Sequence, residues 1–182
     1  MLSLKESYQK EITKKMIDKF KYKNVFSVPK VEKVVVNVGV GEARENPKIL
    51  EFVEKDLSII IGQKPAITKA KKAISGFKIR KGDKIGMKVT LRGKRMYDFL
   101  ERLTRIALPR IRDFRGLSKK GFDGHGNYNL GLKEHAVFAE IKYDKTEKFF
   151  GFQVTVGTNA KSNEEAEELL TLMGFPFEHS NK

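Results

Sequence analysis

Residues 64–92 read KPAITKAKKAISGFKIRKGDKIGMKVTLR, and this stretch decides both the fold class and the class of partner that we expect. From Lys64 to Lys88 it carries nine Lys or Arg residues and one acid, a net charge of +8 in a chain whose net charge is +14. It also contains glycines typical of turns, the aromatic Phe77 and a strand with two different faces. A folded cationic surface of this kind suits a polyanion, so we expect the protein to bind nucleic acid.

The strand at the end of this stretch, predicted over residues 85–92, has the clearest alternation in the chain. Successive side chains of a strand point to opposite faces, and a slip of one residue would exchange the faces, so the register is well specified. Side chains on one face recur at roughly 7 Å, close to the spacing of phosphates along a nucleic-acid strand. We therefore interpret the polar face as a binding surface rather than as an ordinary solvated one. The apolar face consists of Ile85, Met87, Val89 and Leu91, and the polar face of Lys84, Lys88, Thr90 and Arg92.

Hydrophobic periodicity and capping residues predict the remaining elements. Residues 109–133 are expected to be irregular, basic and glycine-rich, and residues 144–148 to form a short hairpin connection. We expect helices from the capping box Ser3-x-x-Glu6, from Asn46-Pro47 to Gly62, over residues 94–107 up to Pro109, and from the capping box Ser162-x-x-Glu165 to Gly174. We expect strands over residues 31–40, 66–70, 85–92, 136–143 and 150–158.

This order of elements predicts an α+β fold, with helices packed on one face of a mostly antiparallel sheet. The polar face of the strand at residues 85–92 leads us to expect an RNA-binding surface on the other face of the sheet. The tight connections around Lys145 and between Ala70 and Ile85 favour antiparallel pairs. We expect one domain over residues 1–182, with a mobile basic loop at about residues 72–84.

The composition narrows the class of protein. A pI near 9.8 makes nucleic acid the leading partner class and an anionic membrane surface the second. The absence of cysteine excludes a disulfide framework, zinc fingers and thiol catalysis. No apolar run is long enough to span a bilayer, and the first residues, with Glu6, Glu11 and no arginine, are not typical of a presequence. We expect a soluble cytoplasmic protein.

Three motifs resemble known kinds of site without completing them. Gly39-x-Gly41 follows a strand, but Arg44 stands where a dinucleotide fingerprint needs its third glycine. The loop of residues 121–131 has calcium-ligand types, but Tyr128 occupies the glycine position. We interpret it as a compact surface loop, or alternatively as one whose backbone N–H groups and Tyr128 meet a phosphate or sugar. The three histidines, at positions 125, 135 and 179, share no metal or triad spacing and are expected to contact solvent or a partner. We therefore expect no cofactor, no metal and no catalytic activity.

Several blocks of sequence, in one order, carry a family resemblance. The chain resembles the bacterial-type ribosomal protein L5 family, the 5S rRNA-binding proteins of the large ribosomal subunit, over nearly its whole length. The blocks are VEKVVVNVGVGEA (Val31–Ala43), GQKPAITKAKKAISGFKIRKGDKIGMKVTLRG (Gly62–Gly93), FRGL (Phe114–Leu117), FDGHGNYNLGLKEHAVFAEI (Phe122–Ile141) and LLTLMGFPF (Leu169–Phe177).

The resemblance implies three RNA-facing regions. The 5S rRNA-binding residues would be Lys10, Lys14, Asn37, Gln63, Lys64, Thr68, Lys69, Lys71, Lys88, Thr90 and Arg92. A loop reaching P-site tRNA and a protein of the small-subunit head would consist of Ser75, Gly76, Phe77, Lys78, Ile79, Arg80, Lys81 and Gly82. A 23S rRNA contact in the central protuberance, beside neighbouring proteins, would consist of Gly124, His125, Gly126, Asn127 and Tyr128.

Three positions depart from the family pattern: His125 replaces the usual Arg, His135 the usual Gln, and Ala139 the usual Pro. Two other functions stay open on the residues alone. A general basic RNA chaperone or membrane-surface binder would need neither ordered loops nor a two-faced strand. A nucleic-acid-acting enzyme would need a carboxylate cluster or metal ligands beside the lysines, and Asp83 alone does not supply them.

Overall fold

The pairing of five strands organises the chain in the computed structural model, which describes residues 3–44, 46–141 and 148–178. The strands form an antiparallel sheet in the order β2-β3-β1-β5-β4, which together with the helices confirms the α+β class. The strands are β1 (Val31–Gly39), β2 (Ala66–Lys69), β3 (Lys84–Leu91), β4 (Tyr128–Leu132) and β5 (Phe152–Thr158). The α-helices are α1 (Leu4–Ser7), α2 (Thr13–Phe20), α3 (Pro47–Ile61), α4 (Gly93–Arg102) and α5 (Asn163–Leu172).

The chain divides into two compact units. Unit 1 consists of Met1–Val34, Leu91–Leu130 and Thr155–Lys182, and unit 2 of Val35–Thr90 and Gly131–Val154. A single domain over residues 1–182 stays a prediction, as does the mobility of the basic loop.

The N-terminal helix joins α1 and α2 through a π-helical segment, Tyr8–Ile12. Its apolar residues recur every four positions, whereas an α-helix has 3.6 residues per turn. Each apolar residue therefore lies about 40° further around the helix axis than the apolar residue before it. The wider π turn takes up part of this drift, because the Thr13 N–H bonds to the Tyr8 carbonyl five residues back. Leu4, Ile12 and Met16 are buried as a result, and Tyr8 and Phe20 are half-buried.

The predicted helix ends are confirmed where a cap defines them. Ser3 and Glu6 form the full capping box, and Asn46 Oδ1 accepts from the Lys48 N–H at 3.1 Å with Pro47 next. Gly62 closes α3 with φ of 72°, in the left-handed region that favours glycine.

Two ends differ from the prediction. The Ser162 hydroxyl caps Glu165 N–H, but the Glu165 carboxylate accepts from Lys161 N–H at 2.9 Å, so only half of that capping box forms. The helix of α4 continues through a π turn, Leu103–Ala107, and a 3-10 turn, Leu108–Arg110, which contains Pro109.

The prediction of a strand at residues 136–143 was wrong over its described part, residues 136–141, and the irregular structure expected throughout residues 109–133 was wrong at residues 128–132. The strand is β4, in which Tyr128, Leu130 and Leu132 are buried and alternate with Asn129 and Gly131. After β4, consecutive turns bury residues at every third position, because Phe138 N–H bonds to His135 O and Ile141 N–H to Phe138 O. This spacing is typical of 3-10 turns and not of a strand. Residues 142–147, which include most of the predicted hairpin connection, lie outside the described residues.

His135, expected to contact solvent or a partner, is instead fully buried in unit 2. Its Nε2 lies 3.2 Å from Asp56 Oδ2, and its Nδ1 accepts the Phe150 N–H at 3.3 Å. The ring stacks on Phe150 with a centroid distance of 3.9 Å. Burial lowers the pKa of His135 below its usual 6.5, although the Asp56 carboxylate opposes part of that effect. The acceptor role of Nδ1 also requires the neutral ring. Of the other two histidines, His125 is exposed, and His179 lies outside the described residues.

We predict that the free energy of unfolding decreases as the pH is lowered below about 6.5, the pKa of an unperturbed histidine. Because the pKa of His135 is lower in the folded chain, the unfolded chain binds this proton first, so stability rises with pH through that window. The measurement is urea unfolding between pH 5 and 7.5. His135→Gln should show a shallower pH dependence than the wild type, while the exposed control His125→Gln should not. Equal slopes for His135→Gln and the wild type would contradict the assignment.

Candidate nucleic-acid interface

The polar face of β3 lies as the sequence predicted. Met87, Val89 and Leu91 are buried, whereas Lys88 and Thr90 between them are exposed. Lys84 and Arg92, at the two ends of this row, are exposed as well. One side of the strand therefore belongs to the core, and the other presents Lys88, Thr90 and Arg92 at alternate positions, with roughly 7 Å between successive side chains. Lys84 lies beyond Gly86 and beyond the register shift in the pairing of β2 with β3, and Ile85, which was predicted to face the core, is only half-buried.

Strand β2 brings Thr68 onto the same face. It pairs antiparallel with β3, and Thr68 lies opposite Gly86 and Ala66 opposite Lys88. A Cβ atom at Gly86 would lie 3.0 Å from Thr68 Oγ1 and only 2.4 Å from the Val38 carbonyl oxygen of β1. The absence of a side chain at Gly86 thus allows the three strands to approach closely, with the Thr68 hydroxyl beside the lysine row.

Strand β1 contributes Asn37 to this face in unit 2. Asn37 is exposed, while Val36 and Val38 on either side of it are buried. The alternation predicted for β1 is confirmed, with Val34, Val36, Val38 and Val40 on the core side. Asn37, Thr68, Lys88 and Thr90 therefore form one polar surface on three neighbouring strands, which we call the outer sheet face.

Unit 1 holds outward-facing residues that the sequence reasoning missed. The Lys33 side chain lies over Gly157, where an added Cβ would be 3.1 Å from Lys33 Cγ. The Thr155 hydroxyl donates to Asn129 Oδ1 at 2.7 Å, joining β5 to β4 by their side chains. Thr155 and Asn129 were missed because the partner strand of β5 had been predicted at the wrong position. Lys33 could have been included among the outward-facing residues from the sequence, because it alternates along β1 with Val34 and Val36, which face the core.

The residues between α3 and the basic loop are accessible at the surface of unit 2. Gln63 is half-buried directly after the helix stop at Gly62. Lys64 Nζ lies 3.2 Å from Glu54 Oε1, but the Lys64 side chain is 83% exposed, so the ion pair is weak and leaves the ammonium able to meet a phosphate. Lys69 and Lys71 are exposed on β2 and just beyond it.

The other predicted 5S rRNA-binding residues belong to unit 1. Lys10 and Lys14 are exposed on the N-terminal helix, away from its buried stripe. Arg92 Nη1 donates to the Glu32 carbonyl at 3.4 Å, which holds the guanidinium beside the start of β1. The cationic groups of unit 1 are therefore exposed at the surface, as a phosphate-binding role requires.

The basic loop has a defined backbone. The backbones of Ile74 and Ile79 exchange two hydrogen bonds, each N–H donating to the carbonyl of the other residue, around a 3-10 turn, Ser75–Phe77. The ladder of β2 and β3 extends to the base of the loop, because Ala70 N–H bonds to Asp83 O and Gly82 N–H to Ala70 O. Phe77 is 72% exposed at the tip. The loop is thus a small hairpin that presents an aromatic ring and several basic side chains.

The glycine-rich loop is organised by Asp123. Its carboxylate accepts the N–H groups of His125 and Asn127 at 2.8 and 3.1 Å, and the Asn127 side-chain amide at 2.7 Å. The Asn127 hydrogen bond lowers the pKa of Asp123 below its usual range. Gly124 and Gly126 adopt positive φ, and an added Cβ at Gly126 would lie 2.8 Å from the Ala160 carbonyl oxygen.

This geometry corrects one member of the predicted 23S rRNA contact. Tyr128 is only 2% exposed, its hydroxyl donates to the Ser118 carbonyl at 3.0 Å, and its ring packs on Phe122 and Phe177. The side chain is therefore part of the core of unit 1 and is not available to a partner at the surface. His125 and Gly124, by contrast, are exposed at the tip of the loop.

Within residues 3–44, 46–141 and 148–178, no three His, Asp or Glu side chains are close enough together to hold a metal ion. In the same part of the chain, no helix has the length and apolar character needed to cross a bilayer.

Comparison with known proteins gives a consistent result along the chain. Residues 24–80 match the family model described as "Ribosomal protein L5", and residues 84–177 match the model of the C-terminus of the same ribosomal family. The chain is 61% identical over 177 residues to "Large ribosomal subunit protein uL5" of Syntrophomonas wolfei, covering 97% of this chain and 99% of that protein. It is 57% identical to the proteins of the same name from Halothermothrix orenii and Thermoanaerobacter sp., each with the same coverage.

These matches cover both units and both the outer sheet face and the basic loop. The chain therefore belongs to the ribosomal protein L5 family, as its sequence motifs predicted, and it is an RNA-binding structural protein of the cytoplasmic ribosome rather than an enzyme.

Proposed function

We propose that this protein binds 5S rRNA with its outer sheet face and docks it to 23S rRNA in the central protuberance of the large subunit. The observation that carries the proposal is the division of β3 and its neighbours into a buried apolar side and an uncovered polar side. Asn37, Thr68, Lys88 and Thr90 supply an amide, two hydroxyls and an ammonium, which suit phosphate and ribose oxygens.

The outer sheet face suits recognition of RNA backbone and shape rather than stacking of bases. Gly86 leaves this surface flat, because the Val38 carbonyl occupies the space of a Cβ. Structured RNA is recognised largely through phosphates and 2′-hydroxyls, which a flat polar face of this kind can reach. Positive charge is added by Lys64, Lys69 and Lys71 of unit 2 and by Lys10, Lys14 and Arg92 of unit 1.

Two further contacts belong to the same proposal. The basic loop, in its part from residue 74 to residue 84, contacts P-site tRNA and a protein of the small-subunit head. Its exposed Phe77 and its basic residues lie beyond the sheet. The glycine-rich loop contacts 23S rRNA through the exposed His125 and the backbone of Gly124, beside neighbouring proteins of the central protuberance. The internal bonds of Asp123 and Asn127 support the shape of this loop.

A general basic RNA chaperone is the second candidate, favoured only by the net charge of +14. Such a protein binds through phosphate neutralisation alone, so its affinity would follow charge and salt and not the order of side chains along β3. The two candidate functions therefore differ in whether substitution of an uncharged side chain on the outer sheet face lowers the affinity for 5S rRNA.

We predict that Thr90→Val combined with Arg92→Ala weakens 5S rRNA binding by about 1–3 kcal/mol or more. The changes remove a hydroxyl and a charge-assisted donor from the polar row of β3 without touching its buried side. The measurement is the dissociation constant for 5S rRNA by fluorescence anisotropy at fixed salt.

The matched control is Thr171→Val with Arg105→Ala, which makes the same chemical changes, and the same loss of charge, on helical surfaces. It should leave the affinity almost unchanged. Equal losses in the two double variants would show that charge alone binds the RNA, and an unchanged affinity in the first would remove β3 from the interface.

We also predict that deletion of Ser75–Lys81 leaves 5S rRNA affinity nearly intact and impairs association of the ribosomal subunits. The deletion keeps the bonded pairs of Ala70 with Gly82 and Asp83, so β2 and β3 stay joined by a short connection. Affinity for 5S rRNA and sedimentation of reconstituted subunits are the two measurements. A large loss of 5S rRNA binding, with normal subunit association, would reverse the role assigned to this loop.

A further inference from the structure

The most exposed aromatic side chain among the described residues lies outside the three RNA-facing regions. Phe26 is 92% exposed, and its neighbour Val25 is 58% exposed. Both belong to a 3-10 turn, Val25–Ser27, between the N-terminal helix and β1. Two adjacent large apolar side chains left exposed at one turn form a small apolar surface that a partner can bury.

The backbone of this turn is fixed from both sides. Asn24 Oδ1 accepts the Phe26 N–H at 2.9 Å, and the Ser27 N–H bonds to the Asn24 carbonyl at 3.0 Å. On the far side, Val28 is buried and the Tyr8 hydroxyl donates to the Pro29 carbonyl at 2.9 Å. The ring is therefore presented on a preformed support, which lowers the entropy cost of binding to it.

Lysines flank the turn along the chain, and an acid placed beside this segment is Glu165 of α5, which interacts with Tyr22. Lys21, Lys23 and Lys30 are all exposed, and no acid occurs between Lys21 and Val31. Lys21 itself adopts φ of 54°, which ends the helix and turns the chain towards Phe26. An exposed ring among lysines is the combination by which proteins stack an unpaired base and neutralise its phosphates. An apolar protein surface would be a poorer match for this charge.

The turn also lies close along the chain to the outward side of β1. Only four residues separate Phe26 from Val31, where β1 begins, and Lys33 of that strand lies over Gly157. A strand residue spans about 3.3 Å, so the distance along the chain from the turn to Lys33 is one that a few nucleotides can span.

From these observations we propose that Phe26 stacks on an unpaired base of 5S rRNA, with Lys21, Lys23 and Lys30 holding the adjacent phosphates. The inference rests on the proposed function, and it adds a base-stacking contact that the sheet itself does not offer.

The test uses a feature of the sequence: the chain contains no tryptophan. Phe26→Trp in the full chain gives a single tryptophan at the turn, which can be excited selectively over the five tyrosines. Its fluorescence should be quenched by saturating 5S rRNA and become shielded from acrylamide. The matched control is Ile106→Trp, a position 42% exposed on the helical surface after α4, where neither change should occur. Phe26→Ala should weaken 5S rRNA binding at least about fivefold, the lower end expected for loss of one stacked base, while Ile106→Ala should not weaken it.

The inference requires both the change in Trp fluorescence at position 26 and the weaker binding of Phe26→Ala. If 5S rRNA binds but Trp fluorescence at position 26 stays unchanged, or Phe26→Ala binds as tightly as the wild type, the inference is overturned and the proposed function stands. If the wild-type chain fails to bind 5S rRNA, both proposals fail. Circular dichroism of each variant checks that the exposed substitutions leave the fold unchanged.

Discussion

The alternation of side chains along β3 is the constraint on which the rest of the structure depends. Met87, Val89 and Leu91 are buried, so Lys88 and Thr90 have to face outward. A slip of one residue would place an ammonium group in the core without a partner, at a cost of several kcal/mol. The register of the sheet and the chemistry of its uncovered face are therefore set by the same residues. This coupling is why a short stretch of sequence predicts both the fold class and the kind of partner.

The same alternation leaves polar side chains on the sheet and aromatic rings in the turns, so we expect two different kinds of RNA contact. Among the described strands, no outward-facing residue is aromatic, and Gly86 and Gly157 are positions where a Cβ would meet a neighbouring strand or the side chain of Lys33. The exposed rings of Phe26 and Phe77 lie instead in turns at the ends of strands. The sheet thus presents polar groups and the turns present rings, and in our proposal the first meet the RNA backbone and Phe26 meets an unpaired base. Turns can hold such rings because their own hydrogen bonds fix the backbone without a packed core.

Sequence reasoning succeeded where a local physical signal was strong and failed where burial came from distant parts of the chain. The alternation of β1 and β3 and the caps at Ser3, Asn46 and Gly62 are local, and each was predicted correctly. The position of β4 was missed because Gly131 and Asn129 weaken its alternation, and because the apolar residues 136–141 form turns around the buried His135. The burial of Tyr128 and the pairing of His135 with Asp56 depend on residues far away in sequence, which periodicity does not report. Of the candidate site, the outward positions of Lys88, Thr90 and Arg92 were predictable from alternation, and Lys33 could have been included on the same ground, whereas the pairing of Thr155 with Asn129 and the exposure of Phe26 required the fold.

Binding of 5S rRNA is the central claim, and a competition titration tests it most directly. The purified chain is titrated with labelled 5S rRNA against an unrelated structured RNA of equal length, at two salt concentrations. We predict a strong preference for 5S rRNA that persists at the higher salt, because uncharged groups such as Asn37, Thr68 and Thr90 contribute to recognition. Equal affinity for the two RNAs, collapsing together as salt rises, would contradict it and would show that net charge alone accounts for binding.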